Sequence, residues 1–280
     1  MMLVLVNGEM QSQVSVLDRG LQYGDGVFET VLFKSNQPVL MTFHLQRLAL
    51  GAQRLSIPIP KDFDAQLERA IALRKEQVAS GDSDSFICKI ILTRGTGGRG
   101  YRPVELSSPT LIISFHGVPE YPITFKSQGI ETKICSHRLS ENPVTAGIKH
   151  LNRLDQIIAS AELGELPEGV MCDQKGNVVE GTRSNILVFS ESKIYTPLLN
   201  NSGVDGCLRR FLIEKSEIGA LGVEIIESII PIDKLRQADG IAYINSVFGL
   251  WPVVNIADRT FTITPESKLI SRYLYQELGM

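Results

Sequence analysis

Two rhythms of apolar positions alternate along the first part of the chain. Short apolar runs predict strands over 3–6, 14–17 and 27–33. From His44 to Leu55 the spacing changes to that of a helix. Leu45, Leu48, Ala49, Ala52 and Leu55 fall on one face, with Arg47 opposite that stripe. Ile57-Pro-Ile-Pro60 ends the helix, because proline also disfavours helix in the residue before it. Asp62 is placed to cap the next helix, expected to run to about Ser80. Strands over 86–93 and 110–115 flank a Gly-rich loop. Two prolines and a glycine in His116-Gly-Val-Pro-Glu-Tyr-Pro122 then break the pattern. Beyond the break, strands are expected near 130–135, 169–172, 185–189, 193–195, 223–227 and 241–245. Helical patterns follow Lys149 (Leu151, Leu154, Ile157, Ile158, Ala161), cover 206–219 and begin again at Pro265. The expected architecture is α/β, of the α+β type. It has a smaller domain over 1–115, a linker at 116–122 and a larger domain over 123–280 carrying Lys149.

Composition narrows the class. With 280 residues, 43% hydrophobic and 21% charged, the chain is ordinary for a soluble globular protein. A net charge of −3 and the lack of a basic block interleaved with aromatics argue against nucleic acid as a partner. No apolar run has the length of a membrane span, and the apolar start, Met1 to Val6, is too short for a signal segment and has no basic flank. Cys88, Cys135, Cys172 and Cys207 are scattered, and three lie in strand-like stretches. They are expected to be reduced core residues of a cytoplasmic protein. The four histidines show no metal-ligand spacing, so no metal is expected.

Chemistry concentrates in a few segments. Lys149 stands after a glycine and just before a helical apolar pattern, in Gly147-Ile-Lys-His-Leu-Asn-Arg-Leu-Asp-Gln156. A Schiff-base lysine needs partial burial, which favours the neutral amine. Gly95-Thr-Gly-Gly-Arg-Gly100 follows a strand but opens no helix, so it does not fit a nucleotide-phosphate loop; a loop folded over a substrate and a flexible hairpin stay open.

Read together, Tyr23-Gly-Asp-Gly-Val-Phe-Glu-Thr30, the Lys149 segment and Val179-Glu-Gly-Thr-Arg-Ser-Asn185 resemble the fold-type IV enzymes that use pyridoxal 5′-phosphate. That family holds branched-chain and D-amino-acid aminotransferases together with 4-amino-4-deoxychorismate lyases. Thr93-Arg-Gly-Thr-Gly-Gly-Arg-Gly-Tyr101 and the Lys149 segment look most like its lyase branch. The resemblance implies a cofactor in a cleft between two domains. It makes Lys149 the lysine that binds the cofactor and moves the proton, and gives Glu180 the pyridine nitrogen. Arg47, the Val204-Asp205 turn and Ser246 are implied phosphate ligands. Tyr23, Arg99, Tyr101 and Asn245 are implied to orient the substrate. Tyr101 stands where the D-amino-acid enzymes carry a histidine, which puts an α-amino acid substrate in doubt. Thr30 matches the lyases, where branched-chain enzymes have glycine, and its hydroxyl is a candidate proton donor.

The expectation is therefore a lyase that releases pyruvate from 4-amino-4-deoxychorismate and leaves 4-aminobenzoate, a folate precursor. The resemblance also implies a homodimer. Two alternatives stay open: an aminotransferase of the same fold, and a non-catalytic metabolite-binding protein in which Lys149 is structural.

Overall fold

A computed structural model describes residues 3–98, 100–103 and 108–280. The chain forms two compact units. One holds the residues up to Pro119 together with Ile148–Asn152, and the other holds Glu120–Gly147 and Arg153–Met280.

The first unit contains β1 (Val4–Val6), β2 (Glu9–Met10), α1 (Arg19–Tyr23), β3 (Gly26–Lys34), β4 (Gln37–Pro38), α2 (Met41–Arg54), α3 (Phe63–Ala79), β5 (Phe86–Thr93) and β6 (Thr110–Gly117). Its six strands make one antiparallel sheet in the order β2-β1-β6-β5-β3-β4. Side chains alternate across a strand. Val27, Val31 and Phe33 therefore share one face of β3 and pack in a core with Leu48 and Ala52 of α2 and Leu67 and Ala70 of α3. Phe28 and Thr30 take the other face, and Thr30 sits opposite Lys89 in the β3–β5 register.

The second unit contains α4 (Thr124–Ser127), β7 (Ile130–Arg138), α5 (Leu154–Ala161), β8 (Gly169–Cys172), β9 (Asn177–Gly181), β10 (Asn185–Ser190), β11 (Lys193–Pro197), α6 (Cys207–Glu217), β12 (Ile225–Ser228), β13 (Ile230–Pro231), α7 (Ile232–Gln237), β14 (Gly240–Asn245), β15 (Gly249–Ile256), β16 (Arg259–Thr260) and α8 (Pro265–Leu278). Its sheet runs β12-β11-β10-β14-β15-β7-β8-β9-β13, with β16 on β15. The β11–β12, β15–β7 and β7–β8 pairs are parallel and the rest antiparallel. Its core gathers Trp251, Tyr243, Val170 and Ile186. Among the described residues, no helix is long and apolar enough to cross a membrane.

Several expectations change. Residues 14–17 form no strand: Val16 and Leu17 lie in a turn, 74% and 57% exposed, and pair with nothing that would hold them extended. Asp62 occupies the N-cap position of α3 but makes no cap bond, and its carboxylate accepts from Gln66 Nε2 at 2.9 Å instead. The helix after Lys149 starts at Leu154, and its apolar residues Leu154, Ile157 and Ile158 are exposed rather than packed. β6 runs on to Gly117, and the change of unit comes between Pro119 and Glu120. Lys149 belongs with the first unit, not the second, because its short segment hydrogen-bonds along the start of β3. All four cysteines are buried and unbridged.

The segment around Lys149 is also gripped by packing. A Cβ on Gly51 of α2 would stand 2.9 Å from Val27 Cγ1 and 3.6 Å from Ile148 Cβ. Gly51→Ala is expected to overpack this contact and cost about 1–3 kcal/mol of stability. Urea unfolding measures it, and an unchanged midpoint would show that the helix can shift freely here.

Candidate active site

Lys149 is placed by backbone geometry on both sides. Gly147 before it has φ +82°, which favours glycine. Phe28 donates its N–H to the Lys149 carbonyl, and Leu151 donates to Gly26, each at 2.9 Å. Asn152 Nδ2 reaches the Gly24 carbonyl at 3.0 Å. The half-buried ammonium lies 4.6 Å from the ring centroid of Phe28. Lys89, which the sequence did not single out, places its ammonium 5.6 Å from the same ring. Thr30 shares the Phe28 face of β3, so its hydroxyl and the Lys89 amine stand on one strip of sheet.

Behind the strip, on the α2 side, Glu29 is fully buried. Arg47 donates from Nε at 2.8 Å and from Nη2 at 2.6 Å to its two oxygens, and His44 Nδ1 lies 2.6 Å from the second. Arg47 is thus buried with His44, Leu48, Gly51 and Ala52, which corrects its expected place opposite the apolar stripe. Ala49, expected on the packed face, is exposed. The partner that draws Arg47 inward is a strand residue, invisible to helical periodicity. Burial raises the Glu29 carboxyl, but Arg47 and His44 more than offset this and hold it down at about 2. Burial lowers the His44 imidazole. Glu29 opposes that shift, while the charges of Arg47 and Lys149 add to it.

In the second unit, Glu180 is buried near the end of β9. Gln156 Nε2 donates to one oxygen at 3.0 Å and the Val204 N–H to the other at 2.7 Å. Gly147 and the 203–205 turn are cross-linked: Gly147 donates to Gly203 at 2.9 Å and Asp205 to Gly147 at 3.0 Å. The Val204 and Asp205 amides are therefore directed at Glu180 and Gly147, not outward as a phosphate cradle requires. Asp205 instead accepts from Arg209 Nη1 at 2.8 Å. Helix α6 starts right after, at a Gly206 N-cap that has no side chain to bond its first turn.

Glu168, fully buried, was not singled out in the sequence. It accepts from the backbone N–H groups of Gly169 at 3.1 Å, Thr182 at 3.0 Å and Arg183 at 3.1 Å, and from the hydroxyls of Thr182 and Ser184. This explains the Thr and Ser after Glu180: they fold the turn around a hidden carboxylate. Its only sequence signal is an acid flanked by Pro167 and Gly169 beside an apolar strand. Asn245 spends its side chain locally, donating to the Arg183 carbonyl and accepting from Val247 and Phe248. Ser246 is half-buried in the turn between β14 and β15. Tyr23 closes α1 and meets the exposed Tyr101 edge-on, ring centroids 5.6 Å apart. Arg99 lies outside the described residues.

These residues fit pyridoxal phosphate. Group by group, the first unit offers an amine and a buried guanidinium, which suit its aldehyde and phosphate, and the second unit by itself offers a buried carboxylate, which suits its ring nitrogen. His44 Nε2 is buried without a hydrogen-bond partner beside that guanidinium, as suits a polar ligand atom. The Glu29 and His44 shifts act in the same direction. Both groups bind fewer protons folded than unfolded, so stability is full above the ordinary His44 range. It falls as pH drops through about 6.5, and again between about 4.5 and 2. Glu29→Gln removes the negative charge that Arg47 and His44 meet and should cost about 3–5 kcal/mol at neutral pH while flattening the acid limb. An unfolding midpoint equal to wild type at neutral pH would contradict this.

The family profile for amino-transferase class IV matches residues 26–256. An aminodeoxychorismate lyase of Vibrio harveyi is 32% identical over 94% of this chain and 93% of its own. The crystal structure of 4-amino-4-deoxychorismate lyase from Pseudomonas aeruginosa superposes with a TM-score of 0.90 at 37% identity, covering 99% of this chain and all of that one. The branched-chain amino acid aminotransferase of Escherichia coli, at 22% identity and a TM-score of 0.83 over 98% of this chain and 93% of its own, shares the fold. From its residues 26–256 and its two-sheet α/β architecture, the chain belongs to the class IV aminotransferase family, the fold-type IV enzymes that depend on pyridoxal phosphate.

Proposed function

We propose that the chain is a lyase converting 4-amino-4-deoxychorismate to 4-aminobenzoate and pyruvate with pyridoxal phosphate. One observation carries the proposal. Lys149 lies over Phe28, whose strand face also bears Thr30 and Lys89. Similarity to the two lyases supports it. When bound, pyridoxal phosphate supplies an electron-withdrawing ring next to the substrate amine. Lys149 would bind its aldehyde, Glu180 its ring nitrogen, and Arg47 with the start of α6 and Ser246 its phosphate.

The chain's own groups do the rest. Lys149, with the substrate amine held beside it, would remove the proton from the carbon bearing that amine. Glu180, oriented by Gln156 and the Val204 N–H, would hold a proton at the ring nitrogen. Thr30 delivers a proton to the enolpyruvyl methylene as the neighbouring carbon–oxygen bond breaks, so pyruvate leaves and the ring becomes aromatic. Lys89 and Arg99 are cations for the substrate carboxylates, and Tyr23 and Tyr101 bound the ring. The proposal extends to a cytoplasmic homodimer, supported by the four unbridged cysteines and by the family.

Purified enzyme given the amine should release 4-aminobenzoate and pyruvate in equal amounts without any keto acid. Transfer from α-amino acids to 2-oxoglutarate, faster than aminobenzoate formation, would overturn the proposal in favour of an aminotransferase. Thr30→Val keeps the branched shape and removes only the hydroxyl. It should slow pyruvate release about 10²-fold with cofactor affinity unchanged, the usual worth of a positioned proton donor. Equal rates would make Thr30 a strand residue and nothing more.

A further inference from the structure

The Gly-rich stretch 95–101 is tied to α1 at both ends. At its start, the Arg19 N–H donates to the Gly95 carbonyl at 2.9 Å, and Thr96 bridges to Asp18. Asp18 is itself buried, accepting from Gly20 N–H at 2.8 Å and from the hydroxyls of Thr93 at 2.9 Å and Thr110 at 2.7 Å. At the far end, Arg19 Nη1 and Nη2 donate to the adjacent carbonyls of Gly100 and Tyr101 at 2.9 and 3.0 Å. Arg19 Nε donates to Asp25 at 2.9 Å, and Arg94 holds that carboxylate from the other side at 2.7 and 3.0 Å. Arg94 is moored in turn to the Leu55 and Ser56 carbonyls at 2.6 and 2.8 Å.

Arg19 is only 3% exposed, yet it points at a loop end whose own Tyr101 is 85% exposed. Its guanidinium also lies 4.9 Å from the ring centroid of Tyr23, the ring that Tyr101 meets. Between the two ties, Gly97 and Gly98 have φ +144° and +76°, a region that favours glycine. A planar fork bonding two successive carbonyls is something arginine does and lysine cannot. One buried cation therefore fixes both the tyrosine of the first motif and the far end of the loop.

We propose that Arg19 is a positioning residue for substrate specificity. It holds Tyr23 and the end of the 95–101 loop as one rigid edge, and so sets substrate affinity without touching the reacting atoms. This rests on the proposed role of Tyr23, Tyr101 and the loop in holding substrate. Arg19→Gln and Arg19→Lys test it in the cofactor-loaded enzyme, with the substrate that wild type turns over. Wild type alone decides whether that substrate is aminodeoxychorismate or an α-amino acid, so failure of the lyase proposal is seen separately.

Both variants should raise KM about tenfold while kcat stays within about twofold, the signature of lost uniform binding. Cofactor absorbance should be unchanged. Hydrogen exchange should quicken in the 95–101 peptide and not in β5 or β6. If Arg19→Gln fails to fold, Arg19→Lys decides alone, because it keeps a cation beside Asp25 and loses the fork. An unchanged KM, or a matching fall in kcat and cofactor absorbance with exchange raised across the whole sheet, would reduce Arg19 to a structural residue.

Discussion

A carboxylate taken out of water must be met by donors. An unmet one costs several kcal/mol, so the donors decide where neighbouring chain can go. Among the described residues four are buried: Asp18, Glu29, Glu168 and Glu180. Glu168 is caged by amides and hydroxyls, which forces the 182–184 turn directly after Glu180. Glu180 draws in the Val204 amide and Gln156, fixing the turn that leads into α6. Glu29 pulls Arg47 and His44 into the helix–sheet interface, and Asp18 caps α1 while tying it to β5 and β6.

The consequence is division of labour inside each unit. In the first, the α2 face of β3 holds the Glu29 cluster, with the Lys149 charge acting on His44, and the opposite face bears Phe28, Thr30 and Lys89. The Lys149 segment is tied to β3 by backbone bonds, so the amine's position follows from the strand and not from the helix after it. In the second unit, Gly147, Gly203, Asp205 and Glu180 form one linked turn system. Its links are backbone hydrogen bonds and the Glu180 carboxylate, which must offset about 1–2 kcal/mol of entropy for each residue held.

Much of the scaffold was legible in the sequence. Strands 86–93 and 169–172 coincide with their apolar runs, and helix α8 starts at the expected Pro265. β15 was missed because Pro252 stands mid-strand, opposite Ala242, where proline argues against a strand. Arg47 was placed on the wrong face because periodicity assigns charge to solvent, and its partner Glu29 lies on another element. Glu168 was passed over, since a buried acid looks like a surface acid until its donors are brought round it. Lys149, Glu180 and Thr30 were singled out through motif resemblance. Lys89 and Arg19 needed the strand register and the hydrogen bonds.

Buried Glu180, bonded by Gln156 and the Val204 N–H, is the group proposed to meet the cofactor's ring nitrogen. The nitrogen-15 resonance of labelled pyridoxal phosphate bound to the enzyme reads the protonation of that nitrogen directly. In wild type at about pH 7 the ring nitrogen should resonate as protonated, and in Glu180→Gln it should move to the unprotonated position. An unprotonated resonance in wild type, or the same protonated resonance in both proteins, would contradict the electrostatic basis proposed for this site.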